Sequence, residues 1–353
     1  MTALAVGVGL RPGTAAERIV AAVRDVVGEK VIGCLATLDS RAGEPELRAA
    51  ATMLEVPIRA YSAAELAGVA VPNPSVGVAD AVGTGSVAEA AALLSGTGPL
   101  LITKRTVDEM VFAATAFRRV PVRAVLFDLD GTLVDYYAAA DVAVNAKLAQ
   151  MIPDLPADAR RRAAIRWHEL TELLMDRFLA GELTFAEQRR MRVHGLVEHL
   201  GLPRWDPQRV DDWMADYRSR CEAGWQAFPD VLPTLDELRR RELRVAVLTN
   251  NDGNQQRMKL RKVGLATHLP GIFASDDLGV AKPDPRIFHI ACTDLALSPE
   301  SVAYVGDRRD IDAVAATTAG LQGIWLNRGP AAPESRLPTI STLTDLPRYL
   351  DHA

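Results

Sequence analysis

The sequence predicts an α/β protein in two parts, each built on a mostly parallel sheet, with a block of helices interrupting the second. Three observations predict this. Short apolar runs that suit strands alternate with helical patterns in both parts. The composition shifts near residue 118, from a segment rich in Ala, Val and Gly to one where Trp, Phe, Tyr and Arg are common. Residues from about 138 to 226 are mainly helical in pattern, and strand-helix alternation returns only after them.

Length and composition set the bounds. The chain has 353 residues, enough for two domains at ~150 residues each. It is 48% hydrophobic and 24% charged, which excludes a disordered chain, a collagen and a coiled-coil rod. No stretch approaches the roughly 18 apolar residues of a membrane span. The start, MTALAVGVGLRPG, has no basic region and its apolar run is broken by glycines, so no secretory signal is expected. Cys34, Cys221 and Cys292 are widely spaced and odd in number. They form no zinc spacing and no disulfide framework, and predict reduced thiols in a cytoplasmic protein. A net charge of −5 gives no support for nucleic acid or an anionic membrane as partner.

In the first part, Leu4 to Val8 reads as a buried strand and Gly9 to Gly13 as a turn. Thr14 is placed to cap a helix from Ala15 to Val27, with Glu17 as its capping-box partner. A strand at Val31 to Ala36, a helix at Glu46 to Leu54 and a short strand at Pro57 to Tyr61 follow. Gly83-Thr84-Gly85-Ser86 opens a helix from Val87 to Leu94, and Pro99 to Ile102 is the next strand. The segment Phe117-Arg118-Arg119-Val120-Pro121 separates a helical pattern from a new apolar strand. The domain junction is therefore set at 118, giving domains 1–118 and 119–353.

The second part begins with an apolar strand, Val122 to Phe127, that ends in Asp128. Within the helical block, Trp167, Leu170, Leu174 and Phe178 recur at near-helical spacing. Ala180-Gly181-Glu182 breaks that helix, and Thr184 with Glu187 forms a capping box for the next, which Gly201-Leu202-Pro203 ends. Beyond Phe228 come a helix at Leu235 to Arg240, a strand at Leu243 to Leu248 and a helix at Gln255 to Val263. Later strands fall at Val302 to Val305 and Gly323 to Leu326.

Four signals in the second part carry chemistry. They are Asp128-Leu129-Asp130-Gly131-Thr132, Thr249-Asn250, Lys282-Pro283-Asp284-Pro285 and Gly306-Asp307-Arg308-Arg309-Asp310-Ile311-Asp312. Three of them follow directly on strands, and in open parallel sheets ligands bind beyond the carboxyl ends of strands. A cluster of carboxylates repels itself and needs a cation. Hard oxygen donors favour Mg2+, which also accepts a phosphate oxygen. Thr249 and Lys282 supply donors for the other phosphate oxygens. One carboxylate can act as nucleophile, and a second, two residues on, as general acid.

This set resembles the haloacid dehalogenase (HAD) superfamily over roughly residues 122–345. The resemblance implies a Rossmann-like core with an inserted helical cap, here about residues 138–226, that closes over the site and selects substrate. It implies Asp128 as nucleophile and Asp130 as acid/base, with Thr249 and Lys282 holding the phosphoryl group. Asn250 is expected at the phosphate or the attacking group. Mg2+ is expected on the Asp128 carboxylate, the Asp130 backbone carbonyl and Asp307. Asp312 or Asp310 supplies a supporting acid. The dehalogenases that name the family lack an acid at the position of Asp130, since halide needs no proton on leaving. Its presence implies phosphoryl transfer from a small phosphorylated metabolite. Thr249 to Gln256 with Lys259-Leu260, and the turn Gly181 to Thr184, are similar to the branch with nucleotide and N-acylneuraminate-9-phosphate phosphatases.

Plainer readings stand beside these. Asp130-Gly131 suits a tight turn, Thr249-Asn250 a helix cap, and Lys282 a solvated surface. Asp307 suits a cap for the helix from Ile311, and Asp312 a helix-dipole partner. Arg160-Arg161-Arg162 and Arg189-Arg190 read as solvated helix faces; facing the site, they would favour a substrate with extra negative charge. Trp167, Trp205, Trp213 and Trp225 read as cap packing. His168, His194 and His199 form no paired spacing and read as surface or packing residues.

In the first part, Gly7-Val8-Gly9 suggests a close backbone approach, but Pro12 breaks the dinucleotide glycine pattern. Ala36-Thr37-Leu38-Asp39 with Glu44-Pro45, then Val82 to Ala91, then Lys104-Arg105 fall in one register. Residues 3–116 resemble CobE and the carboxyl-terminal domain of CbiG, proteins of cobalamin biosynthesis. The resemblance implies association with a corrinoid intermediate. Gly83 to Ser86 at a helix start offers N–H groups to an anion, and Arg11, Lys104 and Arg105 add positive charge. The plainer reading is tight turns and solvated basic residues. The leading expectation is a Mg2+-dependent phosphatase fused to a cobalamin-biosynthesis-type domain. The alternatives are a corrinoid-binding protein with an accessory second part, or a phosphomutase.

Overall fold

Five strands form the first sheet in the computed structural model: β1 (Leu4–Gly9), β2 (Ile32–Leu38), β3 (Ile58–Tyr61), β4 (Gly96–Val107) and β5 (Met110–Phe117). The described residues are 3–75, 83–118, 120–179, 181–329 and 337–352. Val82, Arg119 and Ala180, quoted above, lie outside them. The order is β3-β2-β1-β5-β4. β1, β2 and β3 pair in parallel as expected, while β5 runs antiparallel to both β1 and β4.

Two local expectations are corrected here. The pattern before residue 118 is the strand β5, not a helix. Asp108 and Glu109, both at positive φ, make the two-residue turn of a β4–β5 hairpin, the geometry that suits right-twisted strands. Thr14 does not cap the first helix, Ala16–Val27, whose N-cap is Ala15 with no side-chain bond. Thr14 instead donates to the Arg11 carbonyl at 2.8 Å.

The close approach implied by Gly7 is to this chain's own helix Val87–Ser95. A β-carbon at Gly7 would lie 1.8 Å from the Ala88 carbonyl oxygen. Ser86 caps that helix by accepting from the Glu89 N–H.

The second sheet holds β6 (Ala124–Phe127), β7 (Arg244–Thr249), β8 (Gly271–Ala274), β9 (Val302–Gly306), β10 (Gln322–Leu326) and β11 (Thr339–Ile340). The order is β11-β10-β9-β6-β7-β8, and every pairing is parallel. Its strands are apolar on both faces because helices cover both. Val125, Phe127, Val247 and Val305 pack on one side with Leu235, Leu238 and Leu260. Leu126, Leu248 and Tyr304 pack on the other with Ile287 and Phe288.

Between β6 and β7 four helices form the insertion: Tyr136–Met151, Ala157–Leu179, Phe185–His199 and Pro207–Ala223. Trp167 is fully buried in it, edge-on to Trp213 and Tyr217. Thr184 and Glu187 form the expected capping box. The segments entering and leaving the insertion are bonded to each other, through Asp135 N–H to the Gln226 carbonyl and Phe228 N–H to the Leu133 carbonyl. The insertion thus joins the core through one paired neck.

The two sheets belong to units in direct contact. Arg59 pairs with Glu300 at 2.9 Å and Arg309 with Glu55. All three cysteines are free and buried. No helix among the described residues is long and apolar enough to cross a membrane.

Gly7→Ala is expected to destabilise the first unit by about 1–3 kcal/mol through overpacking, read from urea unfolding followed by circular dichroism. An unchanged midpoint would contradict the close seating of the helix on β1.

Candidate active site

Strand register brings the sequence signals together. Phe127 is level with Val247 on one neighbour and Val305 on the other. Asp128 therefore leaves the sheet beside Thr249 and Asp307, at the carboxyl edge where parallel sheets hold ligands. The Asp128 N–H continues the ladder to the Val305 carbonyl at 2.9 Å. Gly131 turns the chain at φ 85°, and a β-carbon there would strike the Asp307 carboxylate.

Lys282 is the hub. Its ammonium donates to Asp128 at 2.7 Å, to Asp312 at 2.6 Å and to the Tyr304 hydroxyl at 2.7 Å. An ammonium has three protons, and all three are committed. Lys282 is buried, so it is not the solvated surface residue of the plainer reading. Burial works against its charge, but Asp128 and Asp312 outweigh it and hold its pKa above the ordinary lysine range.

Carboxylate oxygens of Asp128, Asp307 and Asp312 lie within 4.8 Å of one another. Burial pushes the Asp128 carboxyl up to about 6, with Lys282 opposing and Asp312 adding repulsion. Burial, then Asp128 and Asp312, push Asp307 up to about 8. Such crowding of hard oxygen donors fits a divalent cation of the Mg2+ kind. Asp312 takes the supporting place. One of its oxygens accepts from Lys282 and Tyr304, and the other from the Arg308 N–H at 3.0 Å. Asp310 is exposed and pairs with Arg309.

Asp130 points toward two residues that sequence reasoning gave no role. Its carboxylate pairs with buried Lys259 and accepts from Gln256 at 3.3 Å. Lys259 also lies over the Trp225 ring at 4.7 Å. Gln256 and Lys259 both lie on the helix Gly253–Lys262, which follows the Thr249-Asn250 strand end.

Thr249 is buried at the end of β7. Neither it nor Asn250 caps that helix, because Asp252 does. The Asn250 amide exchanges two 2.7 Å bonds with the Lys282 backbone. Its atoms are spent on positioning the Lys282 loop, although the residue still lines the cavity.

That cavity, of about 180 Å3, lies between core and insertion and is lined by Asp128, Asp130, Thr249, Lys282 and residues of the helical block. Arg308 spans the gap, pairing with Glu172 of the insertion at 3.1 Å. Arg162 pairs with Asp158 and Arg190 with Asp211, so these are the surface arginines expected. Arg189 instead lines the cavity.

Residues 122–320, more than half the chain, match the family model of haloacid dehalogenase-like hydrolases. The chain belongs to this family. It is a hydrolase, and its first part, residues 4–115, matches the model of the cobalamin synthesis G C-terminus. This HAD hydrolase is 37% identical over 131 residues to a phosphoserine phosphatase of Thermus thermophilus, covering 36% of this chain and about half, 52%, of that protein. It is 30% identical over 209 residues to a glyceraldehyde 3-phosphate phosphatase of Methanopyrus kandleri, covering 59% of this chain and 85% of the relative. Among solved structures, the Bacillus subtilis HAD-hydrolase YfnB, bound to magnesium, superposes with a TM-score of 0.57 at 24% identity, covering 66% of this chain and all of that one. That likeness speaks for the fold.

In the first part, Arg11, Lys104 and Ser86 border a second depression of about 420 Å3 at the ends of β1 and β2. Arg105 is exposed and does not line it. Arg11 pairs with Glu109 at the surface, and the Lys104 ammonium donates to the Asn73 carbonyl.

Asp128 and Asp307 hold protons in the folded, cation-free protein that they lose when unfolded, since both folded pKa values are raised. Their contribution is fully present below about pH 4 and is lost as pH rises through about 6 and about 8. Metal-free protein is therefore expected to melt at lower temperature as pH rises from 5 to 9, and added Mg2+ to flatten that decline. A melting curve insensitive to both pH and Mg2+ would contradict the crowding.

Proposed function

We propose that the chain hydrolyses a small phosphate monoester, with Asp128 as nucleophile, Asp130 as general acid and base, and Mg2+ as cofactor. One observation carries this reading: the Asp128 carboxylate, 2.7 Å from a buried lysine ammonium and crowded by Asp307, opens onto the cavity beneath the cap. The phosphatases among its relatives support the choice of ester. We read residues 1–118 and 119–353 as two domains, with the cap at about 138–226.

The Asp128 and Asp307 carboxylates, with the Asp130 backbone carbonyl, would hold Mg2+. When bound, the ion screens these carboxylates from the phosphoryl oxygens and polarises the phosphoryl group. Lys282 opposes the burial that raises the Asp128 carboxyl, fixes that carboxyl in place and adds positive charge beside the phosphoryl group. Thr249 donates to a phosphoryl oxygen, and Asn250 steadies the Lys282 loop.

An Asp128 oxygen attacks phosphorus in line as the bond to the ester oxygen breaks. Asp130 turns from Lys259, takes a proton from solvent and delivers it to the departing oxygen. Water then attacks the same phosphorus, Asp130 takes its proton, and the bond to Asp128 breaks to release phosphate. The cap excludes water before the first attack.

A second reading, corrinoid binding at the first part, draws on the depression beside Arg11, Lys104 and Ser86 and on the cobalamin synthesis model. Absorbance titration of the full chain with corrinoids tests it; an unchanged spectrum at saturating concentrations removes it. A phosphomutase would use the same core residues but return the phosphoryl group to its substrate, so release of inorganic phosphate argues for the phosphatase.

Asp128→Asn is expected to abolish Mg2+-dependent phosphate release across a panel of esters while the circular dichroism spectrum stays unchanged. Undiminished turnover removes Asp128 as nucleophile. Asp130→Asn is expected to lower kcat by about 100- to 10,000-fold on esters with poor leaving groups, and less on p-nitrophenyl phosphate, whose leaving group needs no proton.

A further inference from the structure

Among the described residues, the cap carries positive charge that no carboxylate neutralises. Arg192, on the helix Phe185–His199, is 6% exposed and lines the cavity. Its guanidinium donates to the Thr171 hydroxyl at 3.0 Å and the Met214 sulfur at 3.7 Å, and lies 4.6 Å from the Trp167 ring centroid. None of these partners is anionic, and its Nε is buried without a bond. A buried guanidinium without a carboxylate is costly, and such groups ordinarily sit in ion pairs.

Arg189, one turn earlier on the same helix, also lines the cavity, and its one described contact is with the Phe185 ring at 3.7 Å. Burial, with Arg218 and Arg192 repelling it, pulls its pKa down to about 10. Gln188, immediately before Arg189 in sequence, is 1% exposed and lines the cavity with its Oε1 unbonded. The cavity's carboxylates are engaged elsewhere: Glu172 with Arg308, Glu222 with Arg218, Asp130 with Lys259.

We infer that Arg192 and Arg189, with Gln188, form a cap subsite for a second anionic group of the substrate, a carboxylate, so that the preferred esters are phosphorylated small acids. A planar guanidinium fork matches a carboxylate. Gln188, its amide turned either way, donates to a carboxylate oxygen or accepts from a neighbouring hydroxyl of the acid. A cavity of about 180 Å3 suits a compact acid. The phosphate end lies over Asp128 and the acid end under the cap, with the ester spanning the two. This inference rests on the phosphatase reading.

The test compares 3-phosphoglycerate with glycerol 3-phosphate, which replaces the carboxylate by an uncharged CH2OH, and with 1,3-propanediol bisphosphate. The full chain is assayed with Mg2+ for phosphate release and, separately, for the rise in Tm at matched ester concentrations. Wild type is expected to favour 3-phosphoglycerate over glycerol 3-phosphate by roughly 30- to 200-fold in kcat/KM, the range of a charge-assisted contact. Arg192→Lys and Arg189→Gln should each reduce that ratio by roughly tenfold or more, and the ratio does not depend on how much of a variant folds. Equal kcat/KM and equal Tm shifts for the two esters overturn the carboxylate subsite while leaving the phosphatase reading intact. A preference for the bisphosphate overturns the carboxylate in favour of a second phosphoryl group. A selective Tm rise with 3-phosphoglycerate but no hydrolysis of any ester supports the subsite and sinks the phosphatase reading.

Discussion

The site depends on one buried ammonium. Lys282 stands among Asp128, Asp312 and Tyr304 with every proton donated, and without it two buried carboxylates would face each other unscreened. That arrangement accounts for several separate features. Tyr304 is a large side chain on a central strand, yet its hydroxyl is satisfied by Lys282, Asp312 and the Leu248 carbonyl. Asn250 locks the Lys282 backbone from the neighbouring strand end. Asp312 serves as the counter-charge that lets the lysine stay buried. Breaking such a pair leaves an uncompensated charge, which is far costlier than never having built it.

The loop after β9 distributes this order outward. Asp307 faces the Asp128 and Asp312 carboxylates, Arg308 reaches the insertion, Arg309 reaches the first unit, Asp310 meets water and Asp312 returns to Lys282. A run of charges that reads as hydrophilic loop is thus a junction with a different addressee for each side chain. Its π-helical turn, Arg309–Val314, is of the kind often found at functional sites.

Much of this was legible in the sequence because parallel strands deliver their following residues to one edge. The apolar runs before Asp128, Thr249 and Asp307 announced strands, and the order of motifs announced a shared site. The β5 strand was not legible. Its apolar run, Met110–Phe117, suits a buried strand or a helix equally by periodicity, and its turn uses Asp108-Glu109 where Asn-Gly would have signalled a hairpin. Lys259 and Tyr304 were missed for another reason. Charge and hydroxyl on otherwise ordinary helix and strand patterns reveal their partners only once the chain is folded. Arg189 was read with Arg190 as a solvated pair, yet adjacent residues on a helix face directions about 100° apart, and only one of them meets water freely.

The contact between Arg309 and Glu55 ties together two units that match separate family models. Glu55 closes the helix Pro45–Leu54 in a left-handed conformation, so its side chain is held at a defined angle. Arg309 is two residues from Asp307. A hydrolase module excised from the fusion would keep every side chain of the candidate site yet lose the external strut on its acidic loop. In such a fragment Arg309 would face water where Glu55 now meets it.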